Sequence, residues 1–175
     1  NQARSEHKAV LLQDGKVVVT GGINGSDVLA SAERYDPVTG LWSTTGSMSL
    51  ARSSFTLSLL PSGKALAVGG GSVGIYASDT AELYDPTTET WAPTGNLTAG
   101  RKDHAVTELP NGRVVVSGGW DDNAFGSLTV EIYNPTTGTW AASGGSTVMP
   151  HILHTATRLK DGRILITGGE KVNGR

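Results

Sequence analysis

The 175 residues carry 14 Lys and Arg against 16 Asp and Glu, and no cysteine. A net charge of -2 supplies no general pull toward nucleic acid or anionic lipid, and no apolar run approaches the ~18 residues of a membrane helix. Without cysteine there are no disulfides, no thiolate zinc sites and no cysteine nucleophile.

Glycine fills 24 positions, roughly double its usual share. With 37% apolar and only 17% charged residues the chain still reads as one that packs, so the glycines must hold defined places. Gly21-Gly22, Gly69-Gly70, Gly118-Gly119 and Gly168-Gly169 recur at intervals of 48, 49 and 50, and Gly15, Gly63, Gly112 and Gly162 keep the same intervals. Tyr35, Tyr84 and Tyr133 are 49 apart, and Trp42, Trp91 and Trp140 each follow their tyrosine by seven. Four markers in one phase define an internal repeat.

Each repeat predicts four short strands. The first spans His7 to Leu12, Phe55 to Leu60, His104 to Leu109 and His154 to Leu159. Asp14-Gly15, Ser62-Gly63, Asn111-Gly112 and Asp161-Gly162 then signal hairpins. The second strand is a continuous apolar run, Val17-Val18-Val19, Leu66-Ala67-Val68, Val114-Val115-Val116 or Ile164-Leu165-Ile166, which asks for burial on both faces. The double glycine ends it. After a loop the third strand carries Glu33, Glu82 or Glu131 and then the tyrosine, and it ends in Asp36-Pro37, Asp85-Pro86 or Asn134-Pro135, suited to a type I turn. Glu89 stands where the other two turns have glycine, which predicts a turn that is either more strained or differently closed. The fourth strand begins at the tryptophan, and no stretch has helical periodicity.

A period near 50, the Gly-Gly end of strand two and the Tyr-then-Trp spacing together resemble the kelch repeat. Segments such as Arg101-Lys102-Asp103-His104, Asn111-Gly112-Arg113-Val114 and Tyr84-Asp85-Pro86 are similar to the bacterial and extracellular type. The resemblance covers the whole chain. It implies an all-β fold, a kelch-type β-propeller segment of three four-stranded blades plus the first two strands of a fourth, over residues 1–175. The repeats fall at about 4–51, 52–100, 101–150 and, in part, 151–175. It also implies a first strand that lies innermost, a tryptophan strand that lies outermost, and six or seven blades in a full ring. The segment is therefore expected to belong to a longer propeller, with self-association through open blade edges as the alternative.

Strand direction locates a candidate surface. Antiparallel strands one and two put the residues before strand one and the loops after Gly-Gly on one face. Loops Ile23 to Leu29, Gly71 to Asp79 and Trp120 to Leu128 differ between repeats, and variable loops on a rigid scaffold commonly carry binding. The same face has a recurrent Arg-x-x-His: Arg4 with His7, Arg101 with His104, Arg52 with Phe55 in the histidine place, and His151 with His154. An arginine fork suits carboxylate or phosphate, so these residues are candidate binding groups. The competing reading pairs each arginine with a third-strand glutamate and gives each histidine a backbone partner. Trp120 to Phe125 is the least repetitive segment, and its Trp120, Asp121, Asp122 and Asn123 are candidate contacts for a sugar or a peptide. The double glycines, the three in-phase tyrosines and Trp42, Trp91 and Trp140 are expected to be structural, packing blade on blade.

Catalysis is not expected. The copper-radical oxidases have kelch-like propellers but use a Tyr-Cys cross-link, which a chain without cysteine cannot form. His151 and His154, three apart on an extended strand, point to opposite faces and are poor co-ligands. No phosphate loop or nucleophile elbow is present, and neither metal nor cofactor is expected. Asn24-Gly25-Ser26 and Asn96-Leu97-Thr98 are glycosylation sequons and lean slightly toward an extracellular or periplasmic setting. The expected function is a binding or scaffold module for a protein or glycan, with neither nucleic acid nor membrane as partner. The alternative is the propeller part of an extracellular carbohydrate-active or copper-radical oxidase.

Overall fold

A strand that is apolar on both sides needs sheet neighbours at its edges and another sheet against each face. The computed structural model, which describes residues 2–147 and 149–171, meets both demands by stacking sheets. The first sheet holds β1 (Lys8–Leu11), β2 (Val17–Thr20), β5 (Ala32–Asp36) and β6 (Leu41–Thr45) in that order, with a small hairpin of β3 (Ile23–Asn24) and β4 (Asp27–Val28) between β2 and β5. The second holds β7 (Thr56–Leu59), β8 (Ala65–Val68), β9 (Ala81–Asp85) and β10 (Thr90–Pro93). The third holds β11 (Ala105–Glu108), β12 (Val114–Ser117), β13 (Thr129–Asn134) and β14 (Thr139–Ser146). Then come β15 (His151–Ile152) paired with β18 (Glu170–Lys171), and β16 (Thr155–Arg158) paired with β17 (Ile164–Thr167). All pairs are antiparallel.

Local chemistry fixes the turns. Leu12 N–H donates to Lys16 O at 2.8 Å, leaving a three-residue loop that Gly15 closes at φ 83°. The turn after β5 closes through Gly40 N–H to Asp36 O at 2.8 Å, while Asp36 Oδ1 accepts from Val38 N–H at 2.9 Å. In the second sheet Glu89 takes the glycine place at φ 58°, a strained conformation for a side-chain-bearing residue. Its carboxylate forms an ion pair with Arg34 of the first sheet.

The sheets stack through their first strands: β1 lies beside β7, β7 beside β11, and β11 beside β16. The first strands therefore line the inside and the tryptophan strands lie outside. Leu66, Val68 and Ala81 of the second sheet, with Leu97 from the loop after it, meet Val114, Val116 and Tyr133 of the third. Leu12, Val18 and Ala32 meet Ala65 and Tyr84 across the preceding boundary. Within each sheet tyrosine and tryptophan sit directly opposite, with ring centroids 5.1, 5.2 and 5.0 Å apart. Trp91 and Trp140 pack against the inter-sheet clusters as expected. Trp42 does not: no sheet precedes it among the described residues, and it is 41% exposed. The architecture is an all-β propeller segment, three four-stranded blades and the inner strand pair of a fourth.

Candidate functional site

The recurrent arginines stand at the start of each of the three complete blades, and the structure puts two of them out of a ligand's reach. Arg52 and Arg101 have no solvent exposure. Arg52 donates to Gly69 O at 2.7 Å, Thr80 O at 3.1 Å, Thr80 Oγ1 at 2.7 Å and Glu82 Oε1 at 3.0 Å. Arg101 repeats the set with Gly118 O, Thr129 O, Thr129 Oγ1 and Glu131. Arg4 bonds Gly21 O at 2.8 Å and pairs with Glu33 at 3.4 Å. The guanidinium thus ties the end of strand two to strand three inside its own blade, which corrects the reading of Arg52 and Arg101 as binding groups. Burial pushes the Glu82 carboxyl upward, but the Ser49 N–H and the Arg52 guanidinium outweigh it and hold the group below its ordinary range.

The histidines are wedges between blades. Nε2 of His104 lies 2.8 Å from Thr56 Oγ1 of the preceding blade, and Nε2 of His154 lies 3.1 Å from Ser117 Oγ. Both rings are buried, whereas His7, with no blade before it among the described residues, is exposed and bonds Arg4 O through Nδ1 at 3.2 Å. Burial, then the charges of Arg101, His154 and Lys8, push His104 well below the usual imidazole value. Phe55 does the same packing without nitrogen. These rings explain the first glycine of each pair: a Cβ on Gly21, Gly69 or Gly118 would lie 2.6, 2.9 or 2.7 Å from Phe55, His104 or His154. The second glycine faces its own blade, where a Cβ on Gly22, Gly70, Gly119 or Gly169 would lie within 2.6 Å of a backbone oxygen.

The loop face is held together by backbone bridges that join the residues before strand one to those after Gly-Gly: Ser5 with Ile23, Ser53 with Gly71, and Lys102 with Trp120. Trp120 is half-buried. Oδ1 of Asp121 accepts from the N–H groups of Asn123 and Phe125, both at 2.9 Å, and Asp122 Oδ1 accepts from Asn123 Nδ2 at 2.8 Å. Asp121 is therefore a builder of its loop, while Asp122 and Asn123 remain exposed. Beside this loop lies a groove of about 450 Å³ floored by Ser53, Ser54, Gly71 and Ser72 and walled by Val28, Ile75, Tyr76 and Lys102. The Lys102 ammonium sits 3.8 Å from the centre of the Tyr76 ring, and Tyr76 is 43% exposed.

The repeat geometry now coincides with a sequence match: the family model described as Kelch motif covers residues 5–49 and 101–142, the first and third blades. The chain belongs to the kelch-repeat family. The second blade, between the matched stretches, has the same strand order and register. No curated protein matches the chain. In this kelch segment the loop-face groove brings together two residues that the repeat pattern did not single out. Lys102 is the residue after the blade-start arginine, and Tyr76 is the one tyrosine out of phase. That second departure from the period was the available signal.

Proposed function

We propose that this kelch segment is a non-catalytic binding module that meets a protein or glycan through its loop face, with the Tyr76–Lys102 groove at the centre of the contact. One observation carries the reading. Lys102 is held over an aromatic ring at the mouth of a hydroxyl-lined groove, and among the described residues it has no carboxylate partner. A fixed ammonium beside an exposed ring favours a partner that brings an acidic group together with a flat apolar one, such as an acidic peptide segment or a uronic-acid glycan. The experiment is a paired screen of the chain on immobilised acidic glycans and acidic peptides. The hits are retested with Lys102→Gln and Tyr76→Ala. Binding is expected to fall about tenfold or more in each variant, as for a desolvated contact worth over 1 kcal/mol. A ligand indifferent to both variants would move the contact elsewhere.

The exposed leading flank supports a second reading, assembly between copies. Leu41 and Trp42 are exposed where Trp91 and Trp140 are packed by a preceding blade. Light scattering across a concentration series separates the two: a monomer at high concentration argues against assembly.

A further inference from the structure

Two charges on the loop face break the repeat. Lys102 takes the place that Ser5, Ser53 and Ile152 hold in the other repeats. Asp79, three residues before Glu82, takes the place of Ala30 and Leu128. The recurrent charges are consumed inside their own blades, Arg52 by Glu82 and Arg101 by Glu131. These two are not. Among the described residues neither stands in an ion pair. Asp79 is exposed, and its Oδ2 accepts a long 3.5 Å bond from Asn96 Nδ2.

Asp79 lines a second pocket, of about 310 Å³, between the end of the first repeat and the loop of the second. Leu50, Ile75, Ala77, Ala81 and Pro93 give it apolar walls. Arg52 and Glu82 border it as well, but they neutralise each other, and Glu82 also accepts from the N–H groups of Ser49 and Leu50. The uncompensated charge of the pocket is therefore that of Asp79. An apolar slot with one free carboxylate suits the aliphatic stem and cationic head of a lysine or arginine. Ile75 borders both this pocket and the Lys102 groove. It sits on an ordered ridge: Ser72 and Ile75 exchange backbone bonds of 3.0 and 3.1 Å, and Val73, Ile75 and Tyr76 are exposed. Two pockets of opposite charge thus share one apolar wall.

We propose, with the loop-face contact as its basis, that the two pockets form one site for an extended peptide segment. Its apolar residue lies over Ile75, its acidic side chain on Lys102 and its basic side chain on Asp79. A uronic-acid glycan supplies the acid but no cation, so the Asp79 pocket favours the peptide. Opposite charges at two fixed places also set the direction of the bound chain and penalise the reverse.

The test uses the whole chain and dye-labelled synthetic peptides, followed by fluorescence anisotropy. Each peptide carries one glutamate and one lysine around an apolar centre, in both orders and with spacers of increasing length. Control peptides carry the glutamate alone. Saturable binding is expected in one order, and about fivefold weaker for the matching glutamate-only peptide, the scale of a solvent-accessible ion pair. Asp79→Asn keeps the shape of the side chain and should cost the same factor, without effect on the glutamate-only peptide. Asp79→Lys should turn the preference toward a peptide with a second glutamate in place of the lysine, which a merely structural Asp79 does not predict. Should either variant unfold, the peptide comparison still decides. Glutamate-only peptides that bind as tightly as the paired ones, or binding indifferent to Asp79→Asn, overturn the two-pocket site and leave the Lys102 groove standing. So does a uronic-acid oligosaccharide that binds through Lys102 while every peptide fails. Binding indifferent to Lys102→Gln and Tyr76→Ala removes the groove itself, and the peptide site with it.

Discussion

The phenol oxygen of Tyr133 lies 2.7 Å from Oγ1 of Thr94 in the preceding blade, and Tyr84 makes the same 2.7 Å contact with Thr45. Tyr35 occupies the equivalent register position with no blade before it among the described residues, which makes it an internal control in this chain. Tyr84→Phe and Tyr133→Phe are each expected to cost about 1 kcal/mol, the usual net value of one intramolecular hydrogen bond, and Tyr35→Phe close to nothing. Urea unfolding of the three variants checks this. Equal losses at all three would mean that the hydroxyl does not act through the inter-blade bond.

The buried ion pairs lead to a second expectation. Removal of one partner strands the other charge, so Arg101→Ala should cost about 3–5 kcal/mol through the uncompensated Glu131 carboxylate. Arg4→Ala should cost less, because its Glu33 contact is longer and lies at the open flank. Thermal melts compare them. An Arg101→Ala protein that melts like the parent but loses a ligand would return that arginine to the binding groups.

The period, the strand order and the double glycines were legible because each is enforced by a repeated steric need that only one or two residue types meet. The bridges on the loop face were not. They follow a kink at Glu6, Ser54, Asp103 and Leu153, which share φ values of 53–54° but have no chemistry in common, so no residue type announces them. The same limit hid the groove. Lys102 and Tyr76 meet only because backbone pairing brings two loops together, while Trp120 drew notice merely by standing out of phase. The arginine-glutamate pairing, by contrast, was readable as the competing interpretation, since a charge that recurs in each of the three complete blades serves the blade.

Glycine provides a graded test of that steric argument. A Cβ on Gly118 would lie 2.6 Å from His151 O and 2.7 Å from the His154 ring, at φ 61°. Gly168 has φ 70° in the same position of its own pair, but nothing within 4 Å. Gly168→Ala should therefore cost only the backbone strain of a left-handed alanine, about 1 kcal/mol. Gly118→Ala carries that strain plus the displacement of the fourth blade's first strand, and should lose several times as much. Chemical denaturation of the two variants decides. Similar losses would place the whole requirement in the backbone angle and remove the inter-blade contact from the explanation.

Acid sensitivity should concentrate at His104. Its folded value is pushed well below the ordinary 6.5 by burial first and then by Arg101, His154 and Lys8. Below about 6.5 the unfolded chain takes up a proton that the folded chain refuses, so the stability from this group is complete above that pH and drains as pH falls toward the folded value. Phe55 shows that an apolar ring fits the equivalent place. His104→Phe gives up the bond to Thr56, about 1 kcal/mol, and should make the chain less stable than the parent near neutrality. As pH falls from about 8 to about 5 the two stability curves should converge or cross, because the variant lacks this proton linkage. Part of the slope left in the variant belongs to His154, which burial and His151 also push down, and toward pH 5 part belongs to carboxyls such as Glu82 that the fold holds below their ordinary range. Parallel curves over that range would show that His104 is not the titrating wedge.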